Sequence, residues 1–437
     1  MTAEQKSGWK FSQYFGVKIK VPEILDADLL SAIEFNDSGE YLATGDHGGR
    51  IVVFQRTEHT KDDTGKSSPE YHFFTEFQSH EPEFDYLSST EIQEKINVIR
   101  WIRSSSNALF LLSTNDKTIK LWKIYDRKQR AITYQNPEDV NSLQIPQVVT
   151  MGSTITSQNK NIYSHAHTFN INSLSTFSDG ETFLSADDLR VNLWNIEQAR
   201  QSFNIVDIKP SNMENLSEVI TALSCHPSYC SIFIYSTSKG DTSMCDLRVN
   251  SRCTPVKIYS MPQEDQNGGF FSEIISSISS NAWSPDGQSF VTRDYMSVKL
   301  WDIRNNTQPV SILPVHSSLE NRLEYLYENE LLFDRFGLCR SSDGHKVCTG
   351  SYQSYFQIMD INTGITQTYE ASRKSKFNTL TNQNMLKGIS STPVEYDITN
   401  QDFLRTITQV AWHPKEDIIA LSGLNNLYIF TGSNQTI

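Results

Sequence analysis

The sequence has little cysteine, no long apolar run and no excess of basic residues, and each shortage excludes something. Its six cysteines are Cys225, Cys230, Cys245, Cys253, Cys339 and Cys348. None forms a CxxC pair and no histidine falls at finger spacing, so a zinc site is not expected. Nothing approaches the run of about 18 apolar residues that a membrane-spanning helix needs. The opening residues Met1 to Lys6 hold no apolar stretch, so no secretory leader is expected. The thiols therefore read as reduced, in a reducing compartment. That compartment is expected to be the cytoplasm, with the nucleus left open. Lys and Arg total 38 against 51 Asp and Glu, a net charge of −13. Such a balance disfavours nucleic-acid phosphates as the main partner.

Catalytic motifs are also missing. No GxSxG, HExxH or GxGxxG occurs in a suitable context. Gly65-Lys66-Ser67 echoes the end of a phosphate loop, but the earlier glycine and the preceding apolar strand are absent. The carboxylate pairs Asp62-Asp63 and Asp187-Asp188 read as turns. Neither enzyme activity, metal nor cofactor is expected from this chain.

What is present is a repeated block. Apolar alternation meets a turn with Gly, Asp or Pro; a second alternating run follows; then a polar turn and a strand ending in an aromatic. Ser31 to Phe54 is the first copy. Later copies close at Trp122, Trp194, Cys245, Trp301, Met359 and Phe430. Each block reads as three short strands, because period-2 alternation suits strands with one buried face. One block cannot bury its own apolar faces, but a radial stack can. The closers are spaced about 63 residues apart, against about 40–45 for a compact WD40 repeat, and insertions supply the excess. The expected fold is all-β: a seven-bladed WD40 β-propeller, a single domain over 9–431 with long inter-blade insertions. Its blades are expected near 29–55, 94–124, 167–196, 218–248, 276–304, 328–361 and 402–430, with flexible ends at 1–8 and 432–437. Trp9 to Phe15 is expected to supply the outer strand of the last blade. His226 and His413, each before proline, read as turn residues.

Two insertions stand out. Residues 139–165 alternate apolar and hydroxyl side chains around Met151-Gly152, which fits a projecting β-hairpin arm or an ordinary long surface hairpin. The run from Ser79 to Leu87 sets Phe84, Tyr86 and Leu87 among Glu81, Glu83 and Asp85. It reads either as a partner-contact loop or as a loop packed back on its blade.

Some segments are more specific than the repeat pattern. They include EFNDSGEYLATGD from Glu34, FQSHEPEFDYL from Phe77, LSTNDKTIKLWKI from Leu112, SADDLR from Ser185, SFNIVDIKP from Ser202, FFSEIISSI from Phe270 and WHPKE from Trp412. On these the chain resembles the B-type, 55-kilodalton class of regulatory subunits of protein phosphatase 2A. The resemblance implies a non-catalytic subunit joining a scaffold A subunit and a catalytic C subunit. It implies a hairpin arm that grips the scaffold, here through Leu143, Ile145, Pro146 and Ile162. It also implies an acidic and apolar groove for phosphoprotein substrates with basic or helical recruitment segments. The matching positions are Asp188, Met213, Glu214, Leu216, Val219, Phe169, Phe271 and Phe333, while Asn170 stands where the family usually has a histidine. Carboxylates there can orient Arg or Lys through charge-assisted hydrogen bonds, and the apolar side chains can bury one face of a short helix. A general interaction scaffold in another complex is the alternative.

Overall fold

The computed structural model describes residues 8–17, 23–58, 69–86, 89–104, 108–133, 147–250, 252–261, 270–372, 396 and 401–432. Seven four-stranded antiparallel sheets account for nearly all of its strands. Six run in sequence order from inner to outer strand, the first being Leu30–Phe35, Tyr41–Asp46, Arg50–Glu58 and Pro69–Gln78. The inner strand of each sheet touches that of the next, and the last inner strand, Ile407–Trp412, returns to Leu30–Phe35. The sheets are therefore blades of a closed ring, which leaves no open sheet face unburied.

The blades carry four strands, where the sequence pattern showed three. The fourth lies between the expected blocks: Pro69–Gln78, Gln147–Tyr163, Ser202–Asp207, Lys257–Tyr259, Ser311–Pro314 and Thr366–Glu370. These outer strands face solvent on one side, and bulges at Val53/Phe54 and Val191/Asn192 break their register with the third strand. Their alternation is blurred accordingly.

The seventh blade takes its outer strand from Trp9–Phe15, paired antiparallel to Asn426–Gly432. Trp9 is buried and meets Trp412 edge-on at 5.1 Å. Phe15 crosses to Phe54 of the first blade at 4.6 Å. Arg56 of the first blade adds a two-pronged bond to Glu416 of the seventh, at 2.8 and 3.0 Å.

The two His-Pro turns do more than turn. His226 Nδ1 accepts the backbone N–H of Ser228 and of Tyr229 at 3.1 and 3.0 Å, while its Nε2 meets the Gly287 carbonyl of the next blade at 3.1 Å. His413 Nδ1 accepts from Lys415 and Glu416, and its ring lies on the Gly39 turn of the first blade. Gly39 and Gly287 have φ of +79° and +69°, and a Cβ on either would fall 1.8 or 2.3 Å from the imidazole. Glycine is thus required twice over at both turns.

A pH dependence follows. An Nδ1 that accepts N–H groups must be unprotonated, and burial holds both histidines below their ordinary 6.5. Buried His80 is pushed to about 3, and His316 is held well below its usual value. Each contributes stability that is complete above the unfolded value and is lost as pH falls from about 6.5 towards the folded value. The urea midpoint is expected to drop between pH 7 and pH 5. A His226→Phe, His413→Phe double variant should show a shallower drop; an unchanged slope would contradict the assignment.

Candidate functional site

In a four-stranded meander the second-to-third turns and the blade-to-blade connections open at one end of the ring. The first-to-second and third-to-fourth turns open at the other. Asp188 lies in the second-to-third turn of the third blade, between Thr182–Ala186 and Arg190–Asn195. Phe169, Asn170, Met213, Glu214, Leu216, Val219, Phe271 and Phe333 all lie on blade-to-blade connections, so they share its end. Glu81 to Tyr86 lie there too, on the connection from the first blade to the second.

The turn holding Asp188 is set by its neighbour. Asp187 is fully buried and accepts the backbone N–H of Leu189 and Arg190 at 2.9 and 2.7 Å. It also takes a bond from His167 Nδ1 at 2.9 Å, whose Nε2 meets Ser185 Oγ at 2.6 Å. Trp194 Nε1 donates to the same Ser185 Oγ at 2.8 Å. The bonds run in one direction: indole N–H to hydroxyl, hydroxyl to Nε2, and Nδ1–H to carboxylate. Burial pushes the Asp187 carboxyl up, but these bonds outweigh it and hold it below the usual range. His167 was not apparent from the motifs, although a histidine about 20 residues ahead of an Asp turn and a Leu-Trp closer was the available signal.

Asp188 is left for other work. Its backbone carbonyl accepts Ile220 N–H at 2.7 Å, while its carboxylate has only a long contact to Asn172 Nδ2 at 3.4 Å. Partial burial pushes its carboxyl up, and the Asn172 bond with the charges of Arg335 and Lys117 pulls it back. The mouth is thus mixed in charge and not purely acidic.

Beside it, Met213 and Glu214 open a short 3-10 turn capped by Asn212, which accepts Glu214 N–H at 3.1 Å. Met213 and Leu216 are exposed to 43% and 38%, too far for core residues. Val219 is half-buried, fixed by its N–H to Ser238 Oγ at 3.1 Å. Phe169 is half-buried and Asn170 exposed. Across the ring, Phe270 and Phe271 meet Tyr327, both at 5.7 Å, and Tyr327 meets the exposed Phe333 at 5.9 Å. This aromatic ledge joins two connections. Phe270 and Tyr327 were not singled out in the sequence. Behind it, burial raises the Asp334 carboxyl to about 6.

The Glu81–Tyr86 segment projects. Glu83–Asp85 pairs with Thr90–Ile92 as a small separate hairpin. Glu81, Glu83, Phe84 and Tyr86 are exposed, Asp85 is half-buried, and the Phe84 and Tyr86 rings touch at 5.0 Å. Leu87 lies outside the described residues. His80 is turned the other way, buried with its Nδ1 at Ser79 Oγ, and does not join Glu81 and Asp85.

The arm differs from its sequence reading. Gln147–Tyr163 is one continuous strand paired along its length with Ile119–Thr133. Met151-Gly152 is not the hairpin turn: Gln129 pairs with Gly152 and Arg130 with Thr150, so Met151 is the extra residue of a bulge. Glycine suits a bulge as well as a turn, which is why the pattern misled. Leu143, Ile145 and Pro146 lie outside the described residues. Ile162 pairs with Lys120 within the blade and is 51% exposed, so it sits at the root of the arm. Beyond the blade the arm carries exposed Arg127, Lys128 and Arg130 against Asp126. It points from the opposite end of the ring to Asp188.

Among the described residues no group of three or more His, Cys, Asp or Glu side chains is placed to hold a metal ion, and no helix is long and apolar enough to cross a membrane. Residues 158–195, which take in the end of the outer strand of the second blade and the first three strands of the third, match the WD40 family model, described as WD domain, G-beta repeat. The protein is a seven-bladed β-propeller carrying a WD40 repeat, an architecture that serves as a protein-interaction scaffold.

Proposed function

We propose that this chain is the non-catalytic regulatory subunit of a heterotrimeric Ser/Thr phosphatase of the 2A type. It recruits phosphoprotein clients at the end of the ring that holds Asp188 and presents them to a catalytic partner. The observation that carries this reading is the Asp188 turn. A carboxylate not needed by its own turn opens at the same end of the ring as exposed Met213, Leu216 and Phe333, side chains suited to a basic, apolar-faced segment. The specific segments quoted above, FQSHEPEFDYL foremost, supply the phosphatase identity through resemblance. The exposed Arg127, Lys128 and Arg130 on the described part of the arm favour an acidic surface on the scaffold partner. A two-stranded ribbon without a core is also marginal in water until something covers it. Rate enhancement would come from raised effective concentration of the phosphosite, not from chemistry by this chain. Clients would be phosphoproteins bearing cationic or helical segments, met in the cytoplasm or nucleus.

Reconstitution tests the reading. Mixing with phosphatase 2A scaffold and catalytic subunits should give a stoichiometric ternary complex on size exclusion. Replacing Phe84 and Tyr86 together with alanine should weaken catalytic-subunit association at least about tenfold, the effect of losing one interface anchor. It should leave the melting temperature unchanged, since both side chains are exposed. Failure of the native chain to bind either subunit would favour an interaction scaffold for a different complex.

A further inference from the structure

Cys339 and Cys348 are directly opposed on Leu338–Arg340 and Lys346–Gly350, the first two strands of the sixth blade. Opposed residues of an antiparallel pair present their side chains on the same face. Ser341 N–H donates to Lys346 O at 2.9 Å and closes this hairpin. By alternation the cysteine pair is again a hydrogen-bonded one, with Cα atoms about 5.5 Å apart. That lies inside the roughly 4.4–6.8 Å that a disulfide spans. Both side chains pack on the core between the sixth and seventh blades. Cys348 is fully buried, while Cys339 is half-buried and open to a small reagent.

The other cysteines are not arranged this way. The Cys253 thiol faces the carbonyls of Asp246 and Asn250 at 3.9 and 3.8 Å, and that of Cys225 faces Ser175 O at 3.7 Å. Cys245 is fully buried, and Cys230 is exposed on a different blade from the pair.

We propose that Cys339 and Cys348 form a site of reversible oxidative modification whose oxidant is a hydroperoxide. The Cys339 sulfur attacks the O–O bond, giving a sulfenic acid and releasing the alcohol or water of the spent peroxide. The Cys348 sulfur then displaces the sulfenic hydroxyl, which leaves as water with the Cys348 proton. Two thiols lose two electrons, the peroxide gains them, and an S–S bond joins the strands. An external dithiol reverses the step by exchange. Leu338 follows directly on the connection that carries Phe333 and Arg335, so the bond pins the stem of that loop at the client end of the ring.

The test uses the full native chain, treated with hydrogen peroxide, then denatured, alkylated and digested for mass spectrometry. The expected product is a peptide pair joined through Cys339 and Cys348, two hydrogens lighter than the thiol form. It should be at least tenfold enriched over the untreated protein and lost on dithiothreitol treatment. In Cys348→Ser the link should vanish and Cys339 should become trappable by dimedone. Cys230 serves as the internal control for oxidant delivery. Oxidised Cys230 alongside fully alkylatable Cys339 and Cys348 would overturn the proposal, and so would a link from Cys339 to any other cysteine.

Discussion

Asp188→Lys is expected to abolish capture of a basic client segment while the ternary complex still assembles. Asp187 and not Asp188 accepts the turn's backbone N–H groups, so the local fold does not need the carboxylate. Nor is it spent internally, since its one side-chain bond is the 3.4 Å contact to Asn172. Reversing the charge removes an attraction and adds a repulsion beside Arg335 and Lys117, which already lie in its field. Losing one partner of a hydrogen-bonded charge pair costs about 2–5 kcal/mol in binding, so affinity should fall at least about 30-fold. Anisotropy of a labelled cationic helical peptide against the assembled complex reads this directly. Asp187→Asn should behave in the opposite manner, lowering stability through the His167 and backbone bonds and sparing the client surface. Retention of affinity within twofold in Asp188→Lys would remove this residue from the recruitment surface.

The second large effect concerns closure of the ring. Trp9→Ala should lower the unfolding free energy by about 3–5 kcal/mol, the usual cost of emptying a buried tryptophan site. Trp9 is 6% exposed and joins a core that includes Phe356, Tyr369 and Trp412. The same strand adds Phe11 on Phe430 at 5.8 Å and Tyr14 on Tyr428 at 5.3 Å. Lys10→Ala, on the exposed side of that strand, should stay within about 0.5 kcal/mol of the native protein. Urea titration of both variants separates the two outcomes. A Trp9→Ala loss below 1 kcal/mol would mean that the blade holds without its latch.

The ring was legible wherever a strand is buried on both faces. Leu42, Leu111, Leu184, Phe233, Val291, Val347 and Ile419 on second strands are all fully buried, and they carried the repeat. Third strands were legible through closers such as Trp194 and Trp301, whose indole N–H groups reach Ser185 and Thr292. The outer strands were not, because Lys257–Tyr259 is three residues long and Thr366–Glu370 holds one buried side chain. The proposed client end was legible only through resemblance. Its residues come from one turn and several separate connections between positions 169 and 333, and no spacing rule brings Asp188, Phe271 and Phe333 together. Periodicity reports what is buried, and none of these side chains is fully buried.

Because residues 9–15 complete the sheet formed by residues 407–432, a strand made before the other six blades has its partner made after them. At about 5–20 residues per second, a nascent chain waits roughly 20 to 90 seconds before that pairing is possible. Through that interval Trp9, Phe11 and Phe15 have no sheet to enter, and the blades made so far form an unclosed arc. Until then that apolar strand lies open to wrong partners, a liability that arises from topology alone.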